Sequence, residues 1–116
     1  MAKKKTPEEL ADLEYRYTLA RDARTAEQFE ELSRDSNQGV RAAAAHNPNA
    51  PAPALELFAG DRSWGVRIEV ANHPNATHEI IMSLLEPDPR KQGVVHHAAH
   101  KRLVADGVAP DDLPSP

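Results

Sequence analysis

Cysteine is absent from the 116 residues, which excludes disulfides, thiolate metal sites, iron–sulfur clusters and cysteine nucleophiles together. Aromatic residues are scarce at 4%, so a core has to be assembled from Ala, Val, Leu and Ile, the side chains that helices pack at close range. Long apolar runs are missing too. No stretch approaches the ~18 residues of a membrane span, and the basic start Lys3-Lys4-Lys5 has no apolar segment behind it. A soluble, cytoplasmic protein with no membrane association is the expectation. Excess positive charge is also lacking: fourteen basic residues against eighteen acidic ones leave a net charge of −4, the wrong sign for a protein that binds by neutralising phosphates.

What the chain does have in quantity is proline, ten residues against five glycines. Helices tolerate proline in their first turn and in the connections between them, so many short helices are expected rather than a few long ones. The length suits one domain.

An internal repeat organises the middle of the chain. Gly39-Val40-Arg41 returns 26 residues later as Gly65-Val66-Arg67, and Asn47-Pro48-Asn49-Ala50 returns at the same offset as His73-Pro74-Asn75-Ala76. Carried forward and back, the offset aligns Leu55 and Phe58 with Ile81 and Leu84, and with Phe29 and Leu32. A further unit begins at Gly93-Val94-Val95, after two additional residues within a loop at Glu86-Pro87-Asp88-Pro89. Val40 and Ala44, Val66 and Val70, and Val94 and Ala98 are spaced by four, which places each pair on one helical face. Each unit therefore reads as two short helices with Val40, Val66, Val94, Leu32, Leu55, Phe58, Ile81 and Leu84 in the core.

The helix ends carry their own chemistry. Asn47 and His73 precede prolines, a context that disfavours helical dihedrals, so the first helices stop near residues 46 and 72. Thr25 and Thr77 are placed to cap the second helices, and Thr25 with Gln28 has the spacing of a capping box; Pro51 and Pro53 occupy the same place in the middle copy. Thr6, Pro7 and Glu9 open a longer helix over 7–22, and a last helix runs from about Lys91 to Ala105. These longer terminal helices are expected to cover the open ends of the stack. The resulting division is a flexible basic N-terminus at 1–6, a helical-repeat domain at 7–106 and a disordered Pro/Asp tail at 107–116.

Val-Arg, four residues, then His46-Asn47-Pro48-Asn49-Ala50 or Asn72-His73-Pro74-Asn75-Ala76, an apolar pair, and Asp61-x2-Trp64 before the next Val-Arg together resemble the leucine-rich repeat variant family, a bacterial group of strandless helical repeats similar in style to HEAT repeats. The resemblance spans 39–85, with degenerate copies at 13–38 and 93–103. It implies an all-α fold, a short right-handed superhelix (α-solenoid) of about three to four helix pairs, in which one helix of a unit is often short or 3-10. It implies a scaffold and names no ligand. The iron–sulfur cysteine cluster of a family member has no counterpart here.

No phosphate-cradling glycine loop, Gly-x-Ser-x-Gly elbow or apolar acid pair is present, so no catalytic residues, enzyme activity or cofactor are expected. His96 and His100 have the i, i+4 spacing of zinc ligands but no third ligand nearby, and no metal site is assigned. Arg41 and Arg67 invite either a grip on an anionic partner or an internal bond to Asp35 and Asp61, each six residues earlier. The reading favoured is a protein–protein interaction module, an adaptor or modulator, whose partner specificity lies in two outward rows of the first helices: Tyr15, Arg41, Arg67 and Val95, and beside them Arg16, Ala42, Ile68 and His96. Trp64, Arg67 and Ile68 make the expected hot spot, since tryptophan and arginine dominate such sites. One alternative is a nucleic-acid-binding HEAT-like protein using Arg41, Arg67, Arg90, Lys91, Lys101 and Arg102. Another is a small bacterial or phage-encoded regulator of one host protein.

Overall fold

The connections dictate the architecture. In the computed structural model, which describes residues 4–85 and 93–113, seven α-helices follow one another with no strand among the described residues: α1 (Pro7–Asp22), α2 (Ala26–Leu32), α3 (Gln38–His46), α4 (Ala52–Ala59), α5 (Trp64–Ala71), α6 (His78–Ser83) and α7 (Val94–Ala105). A 3-10 turn at Pro110–Asp112 follows. The expected loop at 86–89, the start of the last helix at Lys91, and Arg90 lie outside the described residues, as do 1–3 and 114–116.

Capping sets the helix starts. The Thr6 and Thr25 hydroxyls accept from the Glu9 and Gln28 amides, and the Glu9 and Gln28 side chains reach back to the Thr6 and Thr25 amides, so both capping boxes form. The Thr77 hydroxyl accepts from the Ile80 amide at 3.2 Å. Proline serves instead at α4, where Pro51 is the N-cap residue and Pro53 lies in the first turn. At α3 the cap is Asn37, whose Oδ1 accepts from the Gly39 and Val40 amides. A Cβ at Gly39 would meet the Tyr17 hydroxyl, so the absence of a side chain there lets the tyrosine of α1 lie over the start of α3.

The helices sort into two layers. The first helices α1, α3, α5 and α7 pack in sequence against one another, while α2, α4 and α6 do the same beside them. The molecule is accordingly a slab of 52 × 36 × 17 Å, and its radius of gyration of 15.4 Å exceeds the ~13 Å of a rounded domain this long. Phe29, Leu55, Phe58 and Ile81 are fully buried between the layers, with Leu32 and Leu84 nearly so, as the repeat pattern requires.

Two expectations need correction. Val94 is 44% exposed, and Val95, Ala99 and Leu103 fill the core instead, so the register of α7 lies one residue later than the repeat at Gly93-Val94-Val95 suggests. The stretch after α7 is not loose over 107–113. The Val108 amide donates to the Leu103 carbonyl, Val108 packs against the core and Leu113 is buried. Apolar side chains thus hold a segment that reads as polar and proline-rich. On α1, which packs over α3 with Ala20 buried, Tyr15 and Leu19 stay exposed.

Candidate interaction surface

The two arginines of the repeat point inward. Arg41 is only 3% exposed; its guanidinium donates to both carboxylate oxygens of Asp61, at 2.7 and 3.3 Å, and to the Asp35 carbonyl at 2.7 Å. Arg67 likewise donates to the carbonyl of the aspartate six residues earlier, Asp61, at 2.6 Å. Arg16 reaches the Asp35 carboxylate as Arg41 reaches that of Asp61. The ion pair therefore runs forward to the aspartate after the next second helix, and the bond to the aspartate six residues earlier goes to its backbone. Each of these carboxylates also accepts from the amide two residues on, Asn37 or Ser63, and so fixes the turn that starts the next first helix.

A second ladder crosses the connections at the other end. The Asn47 side-chain amide donates to the carbonyls of Ala20, Arg21 and Ala23 in the preceding unit. His73 stands one unit later. Its Nδ1 accepts from the Asn75 amide, which leaves the proton on Nε2 for the Asn47 carbonyl at 2.7 Å. Arg102 closes the series by donating to the carbonyls of Ala71 and His73. Only the proline next to Asn47 and His73 is visible in the sequence; that both side chains are buried structural donors is not, because asparagine and histidine at helix ends usually face water.

These bonds redraw the proposed rows. With Arg16 in the place of Arg41, α1 is offset by 25 residues and not 26, so Tyr15 corresponds to Val40; in the last unit, His96 and not Val95 corresponds to Arg67. Tyr15 is 62% exposed, Arg41 and Val95 are buried, and Arg67 is half-buried, so Tyr15, Arg41, Arg67 and Val95 do not form one outward row. In the second row His96 is buried, with Nδ1 at the Leu85 carbonyl and no partner for Nε2 among the described residues. Ile68 and Ala42 are half-buried and lean on the core. Trp64, at the first residue of α5, is 38% exposed and remains on the surface within one turn of Arg67 and Ile68.

The remaining candidates are accounted for by geometry. His96 and His100 lie nearly parallel, with ring centroids 6.3 Å apart, and among the described residues no group of three or more potential metal ligands comes together. Of the cations considered for nucleic acid, Arg41 and Arg102 are spent on internal bonds. Arg102 also holds the Asp106 carboxyl below its usual range through a hydrogen bond, aided by His78. Asp35, with Asp12 adding to it, raises the Arg16 guanidinium above its ordinary value. Among the described residues, no helix is long and apolar enough to cross a membrane.

Residues 39–63, which hold all but the first residue of the helix pair α3 and α4, match the family model of the leucine rich repeat variant. The match covers α3 and α4 and the aspartate turn that follows them, the unit in which Arg41, Asn47 and Asp61 carry the inter-unit bonds. No curated protein and no solved structure matches the chain.

Proposed function

We propose that this leucine-rich-repeat-variant chain is a non-enzymatic protein–protein interaction module, an adaptor or modulator, whose helix pairs wind into a short right-handed superhelix of about three to four repeats. The observation that carries the reading is the division of labour between polar and apolar groups. Arg41, Asn47, His73 and Arg102 are committed to joining one unit to the next, while the tryptophan, Trp64, is left at the surface of the first-helix layer. An aromatic ring with Arg67 and Ile68 in the same turn is the composition of an interface hot spot. Affinity capture from native lysate by wild type and by Trp64→Ala tests it. Truncating a hot-spot tryptophan costs about 2 kcal/mol or more of binding, so the variant should lose the partner while keeping its helicity. Equal capture by both would remove this face from consideration.

A further inference from the structure

The inner units show what the first unit lacks. Arg16 bonds Asp35 as Arg41 bonds Asp61, which places Tyr15 and Leu19 in the positions of Val40 and Ala44, and of Val66 and Val70 one unit further on. All four of those inner residues are fully buried, whereas Tyr15 is 62% and Leu19 40% exposed. The position is apolar in every unit, and among the described residues only α1 leaves it open. Leu19 and Leu32 there line a cavity of about 240 Å³ between α1 and α2, rimmed by Arg16, Gln28, Glu31 and Asp35.

Charge accompanies this shape. Residues 7–32 hold eight of the eighteen acidic residues and three of the fourteen basic ones, a net charge of −5 where the whole chain carries −4. All eight of those acids are exposed. Two such ends repel each other, which disfavours a second copy docking face to face. Head-to-tail stacking meets the segment that already packs Val108 and Leu113 against the core after α7.

We propose that the end face formed by α1 and α2 docks an amphipathic helix of a partner protein, with apolar residues entering between Tyr15, Leu19 and Leu32 and flanking lysines or arginines meeting Glu27, Glu31 and their acidic neighbours. The proposal rests on the protein-binding reading above and adds a surface distinct from Trp64. An apolar stripe flanked by cations is the chemistry that fits, because burial supplies the affinity and the acidic rim selects the sign of the partner's charge.

The test uses two synthetic 18-residue helical peptides with the same leucine stripe, one with lysine and one with glutamate at every polar position, titrated against the full chain by fluorescence anisotropy. The lysine peptide should bind saturably, more weakly as salt rises, and the glutamate peptide should not bind. Leu19→Asp should weaken the lysine peptide at least tenfold even though it adds a favourable negative charge, and Tyr15→Ala should weaken it as well. Leu57→Asp, at an exposed leucine of α4, and Trp64→Ala should leave it unchanged. Circular dichroism confirms that each variant is folded; Tyr15→Ala carries the test if Leu19→Asp is not. Binding that ignores both Leu19 and Tyr15, or that does not discriminate between the peptides, overturns the proposal. So does a wild-type dimer by sedimentation that Leu19→Asp dissociates, which would make the occupant a second copy. Loss only in Trp64→Ala would assign binding to the first-helix face and leave the broader protein-binding reading standing.

Discussion

At the scale of single residues, the energetics turn on side chains that are charged or polar and yet buried. Arg41 carries the clearest case. Its guanidinium is desolvated and its cost is offset by three acceptor contacts, two on Asp61 and one on the Asp35 backbone. Removing one member of a buried pair leaves the other uncompensated, a loss of about 3 to 5 kcal/mol. Arg41→Ala should therefore lower the urea midpoint far more than Arg34→Ala, where the pair with Glu30 is exposed and contributes at most ~1 kcal/mol. Lysine is a poor substitute, since an ammonium cannot present two nitrogens to one carboxylate while a third direction serves a carbonyl. Equal midpoints for Arg41→Ala and Arg34→Ala would show that the Arg41 network is not a structural joint. The same chemistry explains why Arg41 could not be read from the sequence as a joint: an outward grip and an inward joint require the same residue type.

At the scale of helices, the periodic features were those the sequence disclosed. Leu55 lies at the centre of the apolar series that links three units and is fully buried in α4. Leu55→Ala should cost ~2 to 5 kcal/mol by cavity formation, read as a fall in melting temperature with the helical spectrum retained below it. Thr25→Ala should cost only ~1 kcal/mol, because it removes one cap from a short helix. The helix boundaries were legible for the same reason: threonine caps and prolines act through the backbone within three or four residues. Register in the end units was not. Val94 and Val95 are adjacent valines in a run that satisfies either register, so the pattern does not distinguish the buried one from the exposed one. Tyr15 failed similarly, since only the Arg16–Asp35 bond reveals the one-residue slip in α1.

Across the whole molecule, the two ends of the stack are finished differently, and composition alone suggested they would be alike. The N-terminal end leaves its apolar pair open beneath an acidic surface; at the other end a folded-back segment covers the core, and Asp106 lies between Arg102 of α7 and His78 of α6. That closure has a pH signature. Hydrogen bonding to Arg102 depresses the Asp106 carboxyl in the folded state below its ordinary value of 3.8, so the unfolded chain takes up the proton first as the solution is acidified. The stabilisation is fully present above that unfolded value and is lost as pH falls through the lower folded one. Wild type should accordingly exceed Asp106→Asn in unfolding free energy while the carboxyl is ionised, and their difference should shrink below about pH 4 as the wild-type carboxyl is protonated. Urea melts of the two proteins above and below that pH check the point. A gap that instead widens below about pH 4 would mean that Asp106 is not the ionised partner of Arg102, which would leave Arg102 joined to the preceding pair through the Ala71 and His73 carbonyls.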